Sequence, residues 1–319
     1  MTLDLMITHW NEPWEIGRNA LTMLSLQRGV DWKEIRVTLV HDGSKQFPAE
    51  YFAGFPFEMH QVELTHRGIA AVRNWCIDHA VAEWIKWCDF DDTFVGIYSL
   101  KTIMDGIRLA KKIDMLWFDL LWELDGRILL RTERNPVFIH DKVFRRRFLN
   151  DHGIRFPEDL TWCEDSAFLA VLEMEIDHQR IGKISTGCPI YLYIRREGSL
   201  CNRPEIKFQN LESFFRRHCY VAEEFLKRGL IDPYRTMCVR IMADSYYTLC
   251  RAPNIQDDKR EHEKRVWEWF AQHRESFYAC RQEMIPFVMK AVNQEDYDGG
   301  LITYEQVKQW IDDHERRTA

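Results

Sequence analysis

Up to about residue 200, short apolar runs alternate with stretches of helical periodicity, and few folds accommodate that alternation. Leu3-Asp4-Leu5-Met6-Ile7-Thr8 predicts a strand. Residues 14–26 predict a helix whose buried face carries Ile16, Ala20, Met23, Leu24 and Leu26. A second strand at 35–40 is rich in β-branched residues and is closed by the turn Asp42-Gly43-Ser44. Residues 69–83 predict a helix, 84–88 a strand ending at Asp89, and 99–112 a helix with Ser99 as its N-cap. Further strands are expected at 115–122 and 128–131. Strands that alternate with helices imply an α/β fold with a mostly parallel sheet and helices on both faces. Ligands in such sheets bind where the strands end, on the loops that carry polar groups.

Beyond residue 204 the strand signals stop. Phe208, Leu211, Phe215, Cys219, Ala222, Phe225 and Leu226 form one helical stripe, and 237–250, 266–280 and 304–315 form others. Thr303 followed by Gln306 predicts a capping box for the last helix. Gly229, Asp232-Pro233, Ala252-Pro253-Asn254 and Asp298-Gly299-Gly300 separate these helices. The chain therefore divides into an α/β domain, 1–204, and an all-helical accessory domain, 205–319, whose aromatic-rich stripes offer a surface for pairing subunits. The 12 tryptophans read mainly as core, with a minority available to line an acceptor cleft.

Composition removes several classes. A net charge of -7 argues against a nucleic-acid partner. No run of about 18 apolar residues is present, so no transmembrane segment is expected. Met1 to Trp10 lacks the basic start and apolar run of a signal peptide. Nine scattered cysteines without a CxxC pair indicate neither a zinc knuckle nor a disulfide framework, which suits reduced thiols in a cytoplasmic location.

The sharpest local feature is Asp89-Phe90-Asp91-Asp92, placed where an apolar strand ends. Carboxylates so close repel one another unless a cation neutralises them, and Mn²⁺ or Mg²⁺ bound together with substrate phosphates would do so. A solvated acidic turn capping the next helix is the bland alternative. Asp89-x-Asp91-x-Thr93 also fits the signature of haloacid-dehalogenase-like phosphatases, although those enzymes carry it on their first strand.

Taken in chain order, a series of motifs resembles the family 2 GT-A glycosyltransferases. The series is Thr8-His9-Trp10-Asn11-Glu12, His41-Asp42-Gly43-Ser44, Gly68-Ile69-Ala70-Ala71-Val72-Arg73-Asn74, the Asp89 cluster, Glu164-Asp165, and Tyr193-Ile194-Arg195-Arg196-Glu197-Gly198-Ser199. The first loop departs from the family's Pro-x-Tyr-Asn-Glu pattern, and Trp10 is left either to stack on a base or to pack under the sheet. The resemblance implies a GT-A nucleotide-diphospho-sugar transferase domain that carries a sugar from a nucleotide-sugar donor, a UDP-sugar above all, to a glycan hydroxyl with inversion. It implies metal binding by Asp91, Asp89 and Asp92. Donor contacts would come from Thr8, Asn11, Glu12, Asp42, Arg73, Asp89, Arg195 and Arg196, with Asp89 on the ribose and Arg73 near the diphosphate or anchoring the acidic loop. Asp165 would be the base, positioned by Glu164. The phosphatase, or a non-catalytic interaction module that presents the helical tail, is the alternative reading.

Overall fold

The computed structural model describes residues 1–124, 126–184, 189–194, 207–250, 256–278, 281–294 and 302–318. It resolves into two compact units, Met1–Arg203 and Pro204–Ala319. The first unit runs β1 (Leu3–His9), α1 (Trp14–Ser25), β2 (Ile35–Asp42), β3 (Met59–Leu64), α2 (Ile69–His79), β4 (Trp84–Asp89), β5 (Thr93–Phe94) and α3 (Ser99–Leu109). It continues through β6 (Met115–Phe118), β7 (Leu120–Leu124), β8 (Arg127–Arg131), β9 (Lys142–Arg145), α4 (Arg146–Asp151), α5 (Glu164–Glu175), β10 (Ile181–Ile184) and β11 (Tyr191–Tyr193).

Seven strands form the main sheet in the order β10-β6-β9-β4-β1-β2-β3, parallel throughout except for β9. A second sheet has the order β5-β11-β7-β8. β1 and β4 are buried along nearly their whole length, as strands covered on both faces must be. One apolar layer gathers Leu5, Ile7, Leu39, Ile103 and Phe118, and the opposite layer gathers Met6, Val40, Ile77, Trp87 and Phe168.

Several expectations need correction. The 69–83 helix stops at His79, because the Asp4 carboxylate accepts from Val81 N at 2.6 Å and Ala82 N at 2.7 Å and turns the chain into β4. Ser99 is the first helical residue rather than the cap, its hydroxyl accepting from Gly96 N at 3.1 Å. The 115–122 run is two strands in two different sheets, divided at buried Asp119. Helix α1 buries Gly17, Leu21 and Leu24, a row offset from the expected one, and Leu26 is half exposed.

The second unit comprises α6 (Lys207–Lys227), α7 (Ile231–Cys250), α8 (Gln256–Gln272), α9 (Arg274–Tyr278), α10 (Arg281–Gln294) and α11 (Tyr304–Thr318). Asp232-Pro233 lies in the first turn of α7 instead of separating helices, where a proline costs no backbone bond. The Thr303–Gln306 capping box is present, with Gln306 N donating to Thr303 Oγ1 at 3.3 Å and Thr303 N to Gln306 Oε1 at 2.8 Å. Glu212 of α6 accepts from His262 at 2.9 Å, Arg265 at 3.1 Å and Arg216 at 3.3 Å, pinning α8 to α6. No helix among the described residues is long and apolar enough to cross a membrane.

Candidate active site

The site begins as a consequence of register. Thr8 pairs with Asp89 and His9 with His41, so β1, β2 and β4 all end at one edge of the sheet. There Thr8 Oγ1 donates to Asp89 Oδ1 at 2.9 Å. The next residue, Phe90, is buried, and its ring fills a notch in α1. A Cβ on Gly17 would come within 2.0 Å of that ring, so only glycine admits it. A mid-helix glycine weakens a helix by about 1 kcal/mol relative to alanine, and here it fixes the acidic loop. Asp92 is buried and accepts from Ile194 N at 2.9 Å, which ties the loop to the end of β11. Asp91 lies half-buried between them.

Arg73 draws in the second acidic motif. Its guanidinium is buried and forks: Nη1 donates to Glu164 Oε1 at 2.9 Å and Asp165 Oδ1 at 2.5 Å, and Nη2 to Asp89 Oδ1 at 3.3 Å. The surface salt bridge that a helical arginine usually makes is not what forms here. Asn74, beside it, staples the approach to α5, donating to Phe156 O at 2.9 Å and accepting from Phe156 N at 2.8 Å. Glu164 and Asp165 both lie in the first turn of α5, a favourable place for negative charge.

One cation among three carboxylates leaves an excess of negative charge. Burial opposes ionisation of Asp89, but the Arg73 guanidinium and the Thr8 hydroxyl work against it, and its pKa lies below the usual range. Burial drives Asp165 well above that range, only partly offset by Arg73, with Glu164 and Asp89 pushing the same way. Glu164 rises for the same first reason. Asp92 is also pushed well up, by burial and then by the charges of Asp89 and Asp91. A buried carboxyl with a raised pKa is the form a general base takes when it must hold a proton near neutrality.

His140 is the residue that sequence reasoning missed. Its Nε2 lies 3.3 Å from Asp89 Oδ2, and its ring stacks on Tyr191 at 5.4 Å. Burial lowers its pKa to about 3, so the imidazole is neutral. Carboxylate oxygens of Asp89 and Asp92 and a nitrogen of His140 all lie within 4.8 Å of one another, a donor set that suits a divalent ion. Asp92 Oδ2 is buried without a hydrogen-bond partner, which fits a cation's place. Asp91 is not among those three residues.

The loops expected to meet the nucleoside are organised differently from expectation. Asp42 is buried and accepts from Arg67 N at 2.8 Å, Gly68 N at 2.9 Å and His66 Nδ1 at 2.8 Å, so it shapes the turn into α2. Gly43, at φ 78°, passes where a Cβ would lie 2.6 Å from His66 Cβ. Trp10 does not pack under the sheet: it is 43% exposed and stacks on His66 at 5.2 Å and 14°. Asn11, at φ 57°, donates its N–H to Ser44 Oγ, and the Glu12 carboxylate accepts from Trp10 N. Behind them His9 and His41 meet at 2.8 Å, and their outer nitrogens face Glu12 O at 2.8 Å and Gln61 Oε1 at 3.1 Å. Three such bonds need three protons. Burial lowers both pKa values, that of His41 to about 4, so near neutrality one link of the chain lacks its proton.

On the far side, the β7–β8 hairpin borders an open cavity of about 590 Å³ lined by Trp122, Leu130, Arg131, Arg134 and Phe138. Arg131 stacks on Trp122 at 4.0 Å. Arg195, Arg196, Gly198, Ser199, the breaks at 252–254 and 298–300 and the side chains of Phe208 and Leu211 lie outside the described residues.

Among solved structures, S. aureus TarS 1–349 in complex with UDP superposes over 100% of this chain and 90% of its own, with a TM-score of 0.67 and 17% identity. The complex with UDP-GlcNAc gives 0.67 and 18% over the same coverage. Against the longer S. aureus TarS structure the TM-score is 0.61, and this chain spans 55% of it. The fold is GT-A. No protein-family model and no curated protein sequence matches the chain. A GT-A sheet leaves the phosphatase reading without its frame, because the acidic motif closes the fourth strand of the chain rather than the first.

Proposed function

We propose that the protein is an inverting glycosyltransferase that moves a sugar from a UDP-sugar to a hydroxyl of a glycan. One observation carries the reading. The Arg73 fork holds the acidic loop after β4 and the acidic pair of α5 against each other at the carboxyl edge of a GT-A sheet. Fold likeness alone would not carry it. That TarS is solved with UDP and UDP-GlcNAc supports the choice of donor.

Asp165 is the base. As the acceptor oxygen attacks the anomeric carbon, its proton passes to an Asp165 carboxylate oxygen, and the bond from that carbon to the diphosphate breaks with the electron pair leaving on phosphate. Displacement from the face opposite the leaving group inverts the centre. Glu164 shares Arg73 Nη1 and sets the carboxylate's orientation. Asp91, Asp89 and Asp92 supply the carboxylates for Mn²⁺ or Mg²⁺, which when bound offsets the charge that grows on the diphosphate. Thr8 and Arg73 fix Asp89, so the role of Arg73 is to position the loop. Asn11, Glu12 and Asp42 form the nucleoside loops, with exposed Trp10 available for stacking on the base, and the motif resemblance gives Arg195 and Arg196 the diphosphate. The cavity beside the β7–β8 hairpin, with its aromatic wall, suits a glycan acceptor.

The test is a thermal-shift titration with UDP and Mn²⁺ beside turnover measurements. Wild type should be stabilised by UDP only when Mn²⁺ is present. Asp91→Ala should lose both that shift and transfer, whereas Asp165→Asn should keep the shift and lose about 100- to 10,000-fold in turnover. Unchanged turnover in Asp165→Asn removes it as the base. Absence of a UDP shift in wild type removes the donor reading.

A further inference from the structure

His140 belongs to none of the motifs, yet topology delivers it to the acidic loop. Strands β4 and β6 run parallel, and β9, between them, runs the other way. An antiparallel strand starts at the edge where its parallel neighbours end. Trp84 sits across from Arg145 and Ile85 across from Phe144, and continuing that register four residues sets His140 across from Asp89. The ring is held firmly in place. It stacks on Tyr191 at an interplanar angle of 10°, and Lys86 Nζ donates to its carbonyl oxygen at 2.5 Å.

Asp92 Oδ2 has no hydrogen-bond partner on a residue only 3% exposed, and His140, equally buried, turns Nε2 towards the same carboxylates, 3.3 Å from Asp89 Oδ2. A buried carboxylate oxygen left unmet costs about 1–3 kcal/mol. A cation that takes a lone pair from that oxygen and one from the neutral imidazole would meet that need. Ligand atoms within 4.8 Å of one another need move little to share an ion held at about 2.0–2.2 Å. We propose that His140 is a direct ligand of the divalent cation, together with Asp89 and Asp92. This deepens the glycosyltransferase reading and rests on it for the cation's role. A nitrogen in the shell turns preference away from Mg²⁺, which keeps oxygen ligands, and towards Mn²⁺ and Co²⁺.

The experiment is electron spin-echo spectroscopy of Mn²⁺ bound to the protein with UDP. Wild type should show modulation from a directly bound ¹⁴N, and protein grown with ¹⁵N-histidine should show ¹⁵N in its place. His140→Gln should lose the modulation and weaken Mn²⁺ binding by about tenfold or more, with Mg²⁺ binding affected less. Mn²⁺ and UDP bound to wild type without nitrogen coupling overturns this assignment alone, as does coupling that survives in His140→Gln. No binding of Mn²⁺ and UDP at all overturns the donor reading and this assignment together. If the variant fails to fold, the ¹⁵N measurement still decides whether a histidine is a ligand, and among the described residues His140 is the histidine grouped with Asp89 and Asp92.

Discussion

Two ionic clusters in this protein are built with opposite stoichiometry. In the α/β unit one guanidinium, Arg73, faces three carboxylates; in the helical unit one carboxylate, Glu212, faces Arg216, His262 and Arg265. Both join elements distant in sequence, yet their electrostatics diverge. Around Glu212, burial is outweighed by bonds from His262 and Arg265, and the pKa falls to about 2. Around Arg73 the carboxylates compete, and Asp165 and Glu164 are driven up. A cluster that settles its own charge is a clasp. A cluster left with surplus carboxylate and orphaned polar atoms is arranged for a ligand or a proton, and raised pKa values collect at such sites.

The contrast can be broken by mutation, and the largest effect should come from Arg73. Arg73→Met leaves buried carboxylates without a counter-charge, a loss of about 3–5 kcal/mol, and turnover should fall at least 100-fold. Arg73→Lys keeps the charge but not the fork, so kcat should fall while the melting temperature changes far less. Equal losses in both variants would make Arg73 a matter of charge alone. Next comes Gly17→Ala, which touches no charged group but displaces Phe90. Turnover and Mn²⁺ affinity should drop together by about tenfold, a factor equal to 1.4 kcal/mol, and an unchanged Mn²⁺ titration would show the loop does not depend on that notch. The smallest functional effect should come from Glu212→Gln: normal turnover, with the helical unit unfolding earlier. Because the folded pKa lies below the ordinary value of about 4.3, the wild-type advantage should be complete above that pH and shrink as pH falls towards 2. A melting-temperature gap between the two proteins that persists below pH 2 would refute a charged clasp.

Much of the α/β unit was legible because its signals are local. The β1, β2 and β4 strands, the turn at Asp42 and the acidic cluster stand in the right order, and all of these fall at one sheet edge. What stayed hidden depends on partners distant in the chain. Helix α2 ends early because of Asp4, from another strand. Gly17 looks like a flaw in α1 until Phe90 is placed against it. His140 has no motif, and only the direction of β9 brings it to Asp89. The motif gives Asp42 to the donor, and nothing in the sequence signals its bonds to His66, Arg67 and Gly68, which shape the turn into α2.

The single residue between β6 and β7 has a further consequence. Asp119 carries the chain from one sheet into the other with no slack, so the count of residues there acts as a parity switch. Side chains alternate along a strand, and inserting one residue at that joint would turn β7 over, sending Trp122 to the face that Leu121 and Glu123 now occupy. An odd insertion there is therefore expected to cost the cavity its aromatic wall: that wall is set by arithmetic along the chain as much as by the residues that line it.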